Sequence, residues 1–198
     1  MQSISDAMKS YFSMSLRLDE KSRSKVMKLM SNIASKYNTY TSITESNVPH
    51  ISITYPNEKI DDKEISEIES AVAKDLARIR PFPVEINGIK SFKKVKEGKP
   101  NYVVFLRVIP NKSLAYVNKI CNSYVKEHDY TMFKSFNPHI TVARGDIDKN
   151  RFNEILREYR NTRFRLIFTV KSITSSTRRS KTGNSNMKEI SVGKQPRA

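Results

Sequence analysis

Two of the chain's three histidines stand in near-copies of one phrase. "NVPHISITYP" covers residues 47–56 and "FNPHITVARG" covers residues 136–145. His50 and His139 are 89 positions apart (139 − 50). Each follows a proline and precedes an isoleucine. A hydroxyl side chain stands two places on, Ser52 in one copy and Thr141 in the other. Imidazole titrates near neutrality, so one ring can take a proton while a second supplies one. Hydroxyls donate hydrogen bonds to non-bridging phosphate oxygens. In-line displacement at phosphorus needs a proton removed on one side and delivered on the other, and a pair of imidazoles does both without a metal. Two histidines alone do not complete a zinc shell, and no Cys or carboxylate stands beside them at ligand spacing. Ser52 has no nucleophile elbow around it. No metal and no other cofactor is expected.

Side chains on a strand alternate faces, and neighbours two apart lie about 7 Å from one another. This alternation puts His50, Ser52 and Thr54 on one face, with Ile51 and Ile53 on the other. In the second copy His139 and Thr141 share a face opposite Ile140 and Val142. Strict alternation turns Arg144 away from His139. The proline before each histidine has no backbone donor, which suits the start or edge of a sheet.

The surrounding periodicities say what must position these strands. Residues 11–18 alternate like a half-buried strand. Val26, Leu29, Met30, Ile33 and Tyr37 trace one face of a helix after Asp19. Ile65, Ile68, Val72, Leu76 and Ile79 mark a second helix from about Asp61, stopped by Pro81 and Pro83. "FPVEINGIKSF" and "NYVVFLRVI" read as strands joined by a basic loop from Lys93 to Pro100. Leu114, Val117, Ile120, Cys121 and Tyr124 mark a third helix. Phe152, Ile155, Leu156 and Tyr159 mark a fourth. "FRLIFTVKSI" reads as one long strand and "MKEISVG" as a short last one, with Gly183-Asn184 as the turn between. Helices punctuated by strands and hairpins indicate a two-layer α+β domain, pseudo-duplicated, with one phrase in each half. One domain over residues 1–198 is expected, with flexible ends at about 1–9 and 194–198.

The formal charge is +16, from 36 Lys and Arg against 20 Asp and Glu. Such an excess draws in polyanions, so RNA or an oligonucleotide is the expected partner. No run of about 18 apolar residues suggests a membrane span, and the first residues do not read as a secretory signal. The one cysteine, Cys121, reads as a small buried hydrophobe. A cytoplasmic monomer is expected. Substrate-binding candidates are Arg144 after the second phrase and Tyr55 and Phe12 as base-stacking rings. Lys93 and Lys94 form part of a basic flap, and Arg178 and Arg179 lie in "STRRSKTGN". Core packing is the alternative for the two rings, and plain solvent exposure for the loops. His128, in "KEHDY", reads as an exposed residue at a helix end.

"PHISIT" and "PHITVAR" resemble the paired His-x-Thr/Ser signatures of the 2H phosphoesterase superfamily, the LigT-like RNA 2′,3′-cyclic phosphodiesterases. The resemblance runs from the first strand to the last. It implies a bilobal fold in which two antiparallel sheets line a central cleft with helices outside. It also implies metal-independent chemistry at 2′ phosphodiesters: opening 2′,3′-cyclic phosphates, cleaving 2′-5′ linkages, trimming RNA 3′ ends or degrading cyclic oligonucleotide signals. On it, His50 and His139 are the acid/base pair, with His139 activating water and His50 acting as acid. Ser52 and Thr141 hold the phosphate. The first phrase is more similar to viral 2′-5′ phosphodiesterases and the second to the LigT branch. The competing readings are a phosphodiesterase for cyclic oligonucleotide signals and a non-catalytic RNA-binding domain.

Overall fold

The computed structural model describes residues 8–43, 48–96, 98–132, 135–180 and 185–193. Nine strands and four helices follow in the described chain: β1 Lys9–Arg17, α1 Glu20–Tyr37, β2 His50–Thr54, β3 Ile60–Asp61, α2 Asp62–Leu76, β4 Phe82–Lys96, β5 Lys99–Val108, α3 Lys112–Glu127, β6 His139–Arg144, α4 Lys149–Tyr159, β7 Arg165–Val170, β8 Ser172–Arg178 and β9 Asn186–Ser191. The helices start where the sequence supplies a cap. Asp19, Asp61, Asn111 and Asp148 each accept a hydrogen bond from a first-turn amide that the helix cannot itself satisfy.

The strands form two antiparallel sheets, ordered β2-β1-β8-β9 and β6-β5-β4-β7, with β3 on the end of β1. The expected α+β architecture is therefore present. Each phrase lies on an edge strand, β2 in one sheet and β6 in the other, and these two edges lie against each other. The helices cross over to hold them there. α1 follows β1 of the first sheet but packs on β6 and β7 of the second. α3 follows β5 of the second sheet but packs on β2 of the first. Met30 and Ile33 of α1 and Leu114 of α3 are fully buried in this exchange. Each is worth about 1.5–3 kcal/mol by burial alone, so neither sheet keeps its core without the other's helix.

Four expectations about the elements need correction. "FRLIFTVKSI" is not one strand. Val170 pairs with Phe82 in the second sheet and Ser172 with Ser191 in the first, so the chain changes sheets at Lys171. No Gly or Pro interrupts the apolar alternation there, which is why the sequence hides the break. The segment from Lys93 to Pro100 is not a loop. Its residues continue the β4–β5 ladder as far as the Lys96–Lys99 pair. α2 ends at Leu76, short of Ile79. β1 begins at Lys9, inside the end expected to be flexible, while residues 1–7 and 194–198 lie outside the described residues, as does the Gly183-Asn184 turn. Cys121 is buried as expected, and burial pushes its thiol up to about 12. Among the described residues no helix is long and apolar enough to cross a membrane.

Candidate active site

The two phrases build the same local geometry. His50 Nδ1 lies 2.8 Å from the Val48 carbonyl oxygen, and His139 Nδ1 lies 2.8 Å from that of Asn137. A carbonyl only accepts, so each Nδ1 carries a proton and donates it. In the neutral ring this leaves Nε2 as the free base. The proline between carbonyl and histidine, with its fixed φ, presents the carbonyl in the same way both times. Both imidazoles are thus held in one tautomer by backbone, with no carboxylate partner among the described residues.

Each motif histidine also faces an arginine across the ladder. Arg17 pairs with His50 and Arg107 with His139, and Ser15 pairs with Ser52. Directly paired residues share a sheet face. Arg17 lies partly buried across the first sheet, its Nη2 3.3 Å from Met187 Sδ, and burial lowers its pKa, with Arg23 adding to the effect. Arg107 Nε donates to the Asn87 carbonyl at 3.2 Å. Sequence reasoning passed over both arginines. The available signal was a cation near the end of each strand, two residues before the helix cap Asp19 in "LRLD" and four before the cap Asn111 in "LRVIPN".

A β-bulge then breaks the alternation in both motif strands at the same place. On β2, Ser52 pairs with Ser15 and Thr54 with Met14, so Ile53 is the extra residue. On β6, Thr141 pairs with Phe105 and Ala143 with Val104, so Val142 is the extra one. After a bulge the faces are exchanged. Thr54 therefore does not share the face of His50 and Ser52. It is 2% exposed, and its Oγ1 donates to Asn122 Oδ1 of α3. Asn118, one turn earlier, donates from Nδ2 to the carbonyl of the bulged Ile53 at 2.6 Å. Two asparagines on one helix face thus pin the β2 bulge. By the same shift Arg144 returns to the face of His139 and Thr141. Strict alternation had turned it away. Tyr55, 41% exposed, holds the position in the first copy that Arg144 holds in the second, five residues after the histidine.

The loop after β6 is held as firmly. Asp146 accepts hydrogen bonds from the Thr39 hydroxyl and from the Tyr40 and Thr41 amides, at 2.6 and 3.0 Å for the amides. Burial pushes the Asp146 carboxyl up, but these hydrogen bonds outweigh it and hold the group below its usual value. Gly145 lies at φ +91°, and a Cβ there would meet Thr41 Cγ2 at 2.7 Å.

The electrostatics differ between the rings. Burial chiefly lowers the pKa of His50, the Val48 carbonyl opposes it, and Arg17, Arg144 and His139 push the proton off further. Arg144 and His139 lie on β6, the strand packed against β2 across the gap. His139 sits instead against aromatic rings, 5.7 Å from Phe92 and 5.1 Å from Phe105 between centroids.

The remaining candidates divide by face. Phe12 is 2% exposed in the core and cannot stack a base; its neighbour Tyr11, half-buried, stands on the opposite, cleft face. Lys94 lies with Nζ 4.7 Å from the Phe92 ring, on the cleft side. Lys93 points to the opposite face, over Tyr102 beside α4, because alternation separates adjacent residues of β4. Arg178 pairs with Tyr11 on the cleft face of the first sheet. Arg179 turns back to Asp62, 3.8 Å away. His128 is not simply exposed: it caps α3, its Nδ1 3.5 Å from Glu64 Oε1. Among the described residues no three His, Cys, Asp or Glu side chains gather at metal-binding spacing.

The arrangement can take up and deliver a proton on two sides of one phosphate. Ser52 and Thr141 supply hydroxyls two residues after each histidine, on the same strand face, and Arg17 and Arg107 supply guanidinium groups on the paired strands. Residues 29–182 match the family described as the 2′-5′ RNA ligase superfamily. Comparison with curated proteins returns no match. Among solved structures, TT0787 of Thermus thermophilus is similar at a TM-score of 0.65 with 18% identity, over 93% of this chain and 100% of that one. LigT of E. coli in apo form gives 0.62 with 13% identity, over 94% and 99%. LigT complexed with 3′-AMP gives 0.55 with 13% identity, over 92% and 95%. These likenesses are of fold.

Proposed function

The chain belongs to the 2′-5′ RNA ligase superfamily, the 2H phosphoesterases, and from that premise we propose that it is a metal-independent phosphodiesterase acting on 2′,3′-cyclic phosphates or 2′-5′ linkages in RNA or oligonucleotides. The observation that carries this reading is the doubled site. Two imidazoles, each fixed through Nδ1 on the carbonyl two residues upstream, stand on facing edge strands. Each has a hydroxyl two residues on. LigT, a member of the fold, has been crystallised with 3′-AMP, which suits a nucleotide-sized phosphate in this cleft.

For a cyclic phosphate, His139 Nε2 takes a proton from water as the water oxygen attacks phosphorus. The P–O3′ bond breaks, and His50 Nε2–H protonates the departing O3′, leaving a 2′-phosphate. In 2′-5′ cleavage one imidazole instead deprotonates the neighbouring 3′-hydroxyl, and the other protonates the departing 5′ oxygen. Ser52 and Thr141 donate to the non-bridging oxygens. The cations around His50 disfavour its protonated form in the empty cleft. An anionic phosphodiester between the strands offsets Arg17 and Arg144, so substrate itself loads the proton that His50 delivers.

The test is a metal-free panel in the presence of a chelator: 2′-5′ triadenylate, its 3′-5′ isomer, an RNA ending in a 2′,3′-cyclic phosphate, and a cyclic dinucleotide, each with the His139→Ala variant as control. Turnover of the first or third that the variant loses supports the proposal. Turnover of the cyclic dinucleotide alone assigns the cleft to signal degradation. A His50→Ala, His139→Ala double variant that still binds RNA, with no turnover by the parent chain, makes it a binding module.

A further inference from the structure

The cleft face of the first sheet continues well beyond the histidines. β1 runs without a bulge against β8, with Ser15 paired to Thr174, Ser13 to Ser176 and Tyr11 to Arg178. Arg17, Ser15, Ser13 and Tyr11 therefore stand in one row on the face that carries His50 and Ser52. Six residues at about 3.3 Å each put Tyr11 about 20 Å from Arg17. Between them the row is built of small hydroxyls, Ser13, Ser15, Thr174 and Ser176; Ser15 and Thr174 are buried, and Arg17 reaches across this face to Met187 of β9, the partner of Ser176, its Nη2 3.3 Å from Sδ. One carboxylate shares this face, Glu189 on β9, and it accepts a hydrogen bond from Ser172.

At the far end the chemistry changes back to cationic. Lys59 Nζ lies 5.0 Å from the centre of the Tyr11 ring, and the Arg178 guanidinium lies 5.8 Å from it. Lys59 is fixed further by donating to the Arg179 carbonyl at 2.9 Å. A lysine held both by a ring and by a backbone carbonyl has already lost much of its rotamer freedom, so an incoming anion need not order it again. An aromatic ring carrying two cations, at the far end of a polar row that begins beside the two imidazoles, offers positive charge to a second phosphate of a strand passing over Arg17 and Met187.

We propose that Lys59 and Arg178, seated on Tyr11, bind an internucleotide phosphate remote from the reacting one, so that the substrate is a single-stranded oligonucleotide of several nucleotides rather than a mono- or dinucleotide. At a rise of about 3.4 Å per stacked nucleotide, about 20 Å corresponds to about six nucleotides, fewer if the strand is extended. The inference rests on the proposed function for the class of substrate, but it is read by binding and so fails separately from it.

The experiment compares the affinity of the intact chain for a single-stranded RNA decamer and for a dinucleotide at two salt concentrations. The same pair is measured for Lys59→Ala and for Lys59→Ala with Arg178→Ala, and thermal melts confirm that both variants fold. The ratio of decamer to dinucleotide affinity should fall about tenfold in the double variant. The slope of log affinity against log salt for the decamer should become shallower by about 1.4, the release expected from two phosphate contacts on a single strand. An unchanged ratio, or no preference of the parent chain for the decamer, overturns the proposal whether or not the chain cleaves any member of the substrate panel.

Discussion

Replacing Thr54 by Val separates the two possible faces of the first motif strand. If the strand alternated without interruption, Thr54 would line the cleft with His50 and Ser52. Losing its hydroxyl would then lower turnover and leave stability almost alone. The bulge at Ile53 reverses both outcomes. Thr54 is 2% exposed and donates to Asn122, and Val fills the same volume. What Thr54→Val leaves behind is the Asn122 amide oxygen, which is half-buried and within reach of water, so the cost should sit at the low end for an orphaned acceptor, about 1 kcal/mol. Asn122→Leu does the opposite and leaves the buried Thr54 hydroxyl only the weak acceptor Met132 Sδ, 4.0 Å away, at about 2 kcal/mol. Removing both partners together should be cheaper than the sum, because neither is then left unpaired. The coupling in a double-variant cycle should be about 1 kcal/mol. For a chain of this size each kcal/mol corresponds to about 2–4 °C in melting temperature. Thermal melts of the four proteins and their turnover on whichever panel substrate is cleaved give both readouts. Strictly additive melting shifts, or a hundredfold loss of turnover in Thr54→Val with no change in melting, would refute the bulge argument.

His139→Ala should lower turnover about 10²- to 10⁴-fold, yet melt close to the parent, since the ring lies at a partly exposed strand start; a large melting shift would make the loss a folding effect. The limb of the pH profile set by His50 should fall below its ordinary value of 6.5 in kcat/KM, which reports the free enzyme, because burial and the facing cations disfavour its protonated form. In kcat, which reports the complex, that limb should move up as the phosphate restores the proton; coincident limbs in both plots sink the idea that substrate charges His50. Gly145→Ala should cost about 1–3 kcal/mol, since alanine is strained at φ +91° and its Cβ meets Thr41. It should also raise KM by displacing Arg144, and a parent-like melt with parent-like KM would count against the role given to that turn.

Much of the site could be read from the chain. The repeated Pro-His-Ile-hydroxyl phrase was enough to single out His50, Ser52, His139 and Thr141, because the requirement they meet is local. A strand of period two puts i and i+2 on one face, and a proline starts the edge. The four helices were legible for a similar reason. Their apolar stripes and Asp or Asn caps depend on neighbours within a few residues.

The rest belongs to contacts distant in sequence. No local pattern announces the two bulges, since Ile53 and Val142 are ordinary strand residues. It is the asparagines of α3, 65 and 68 positions away, that hold the first bulge in place. Those bulges decide that Thr54 is core and that Arg144 shares the face of His139 and Thr141. The phase of β1 put half-buried Tyr11 on the cleft face and Phe12 in the core, and the phase of β4 separated Lys94 from Lys93. The break at Lys171 depends on which sheet each half of an unpunctuated apolar run can pair with. The sequence by itself determined which side chains could do the chemistry, because spacing along a strand is fixed by covalent geometry. Only the tertiary structure decided what surrounds them. Pairing within each sheet places Arg17 and Arg107 opposite the two histidines, and the exchange of helices between lobes brings the two motif strands against each other.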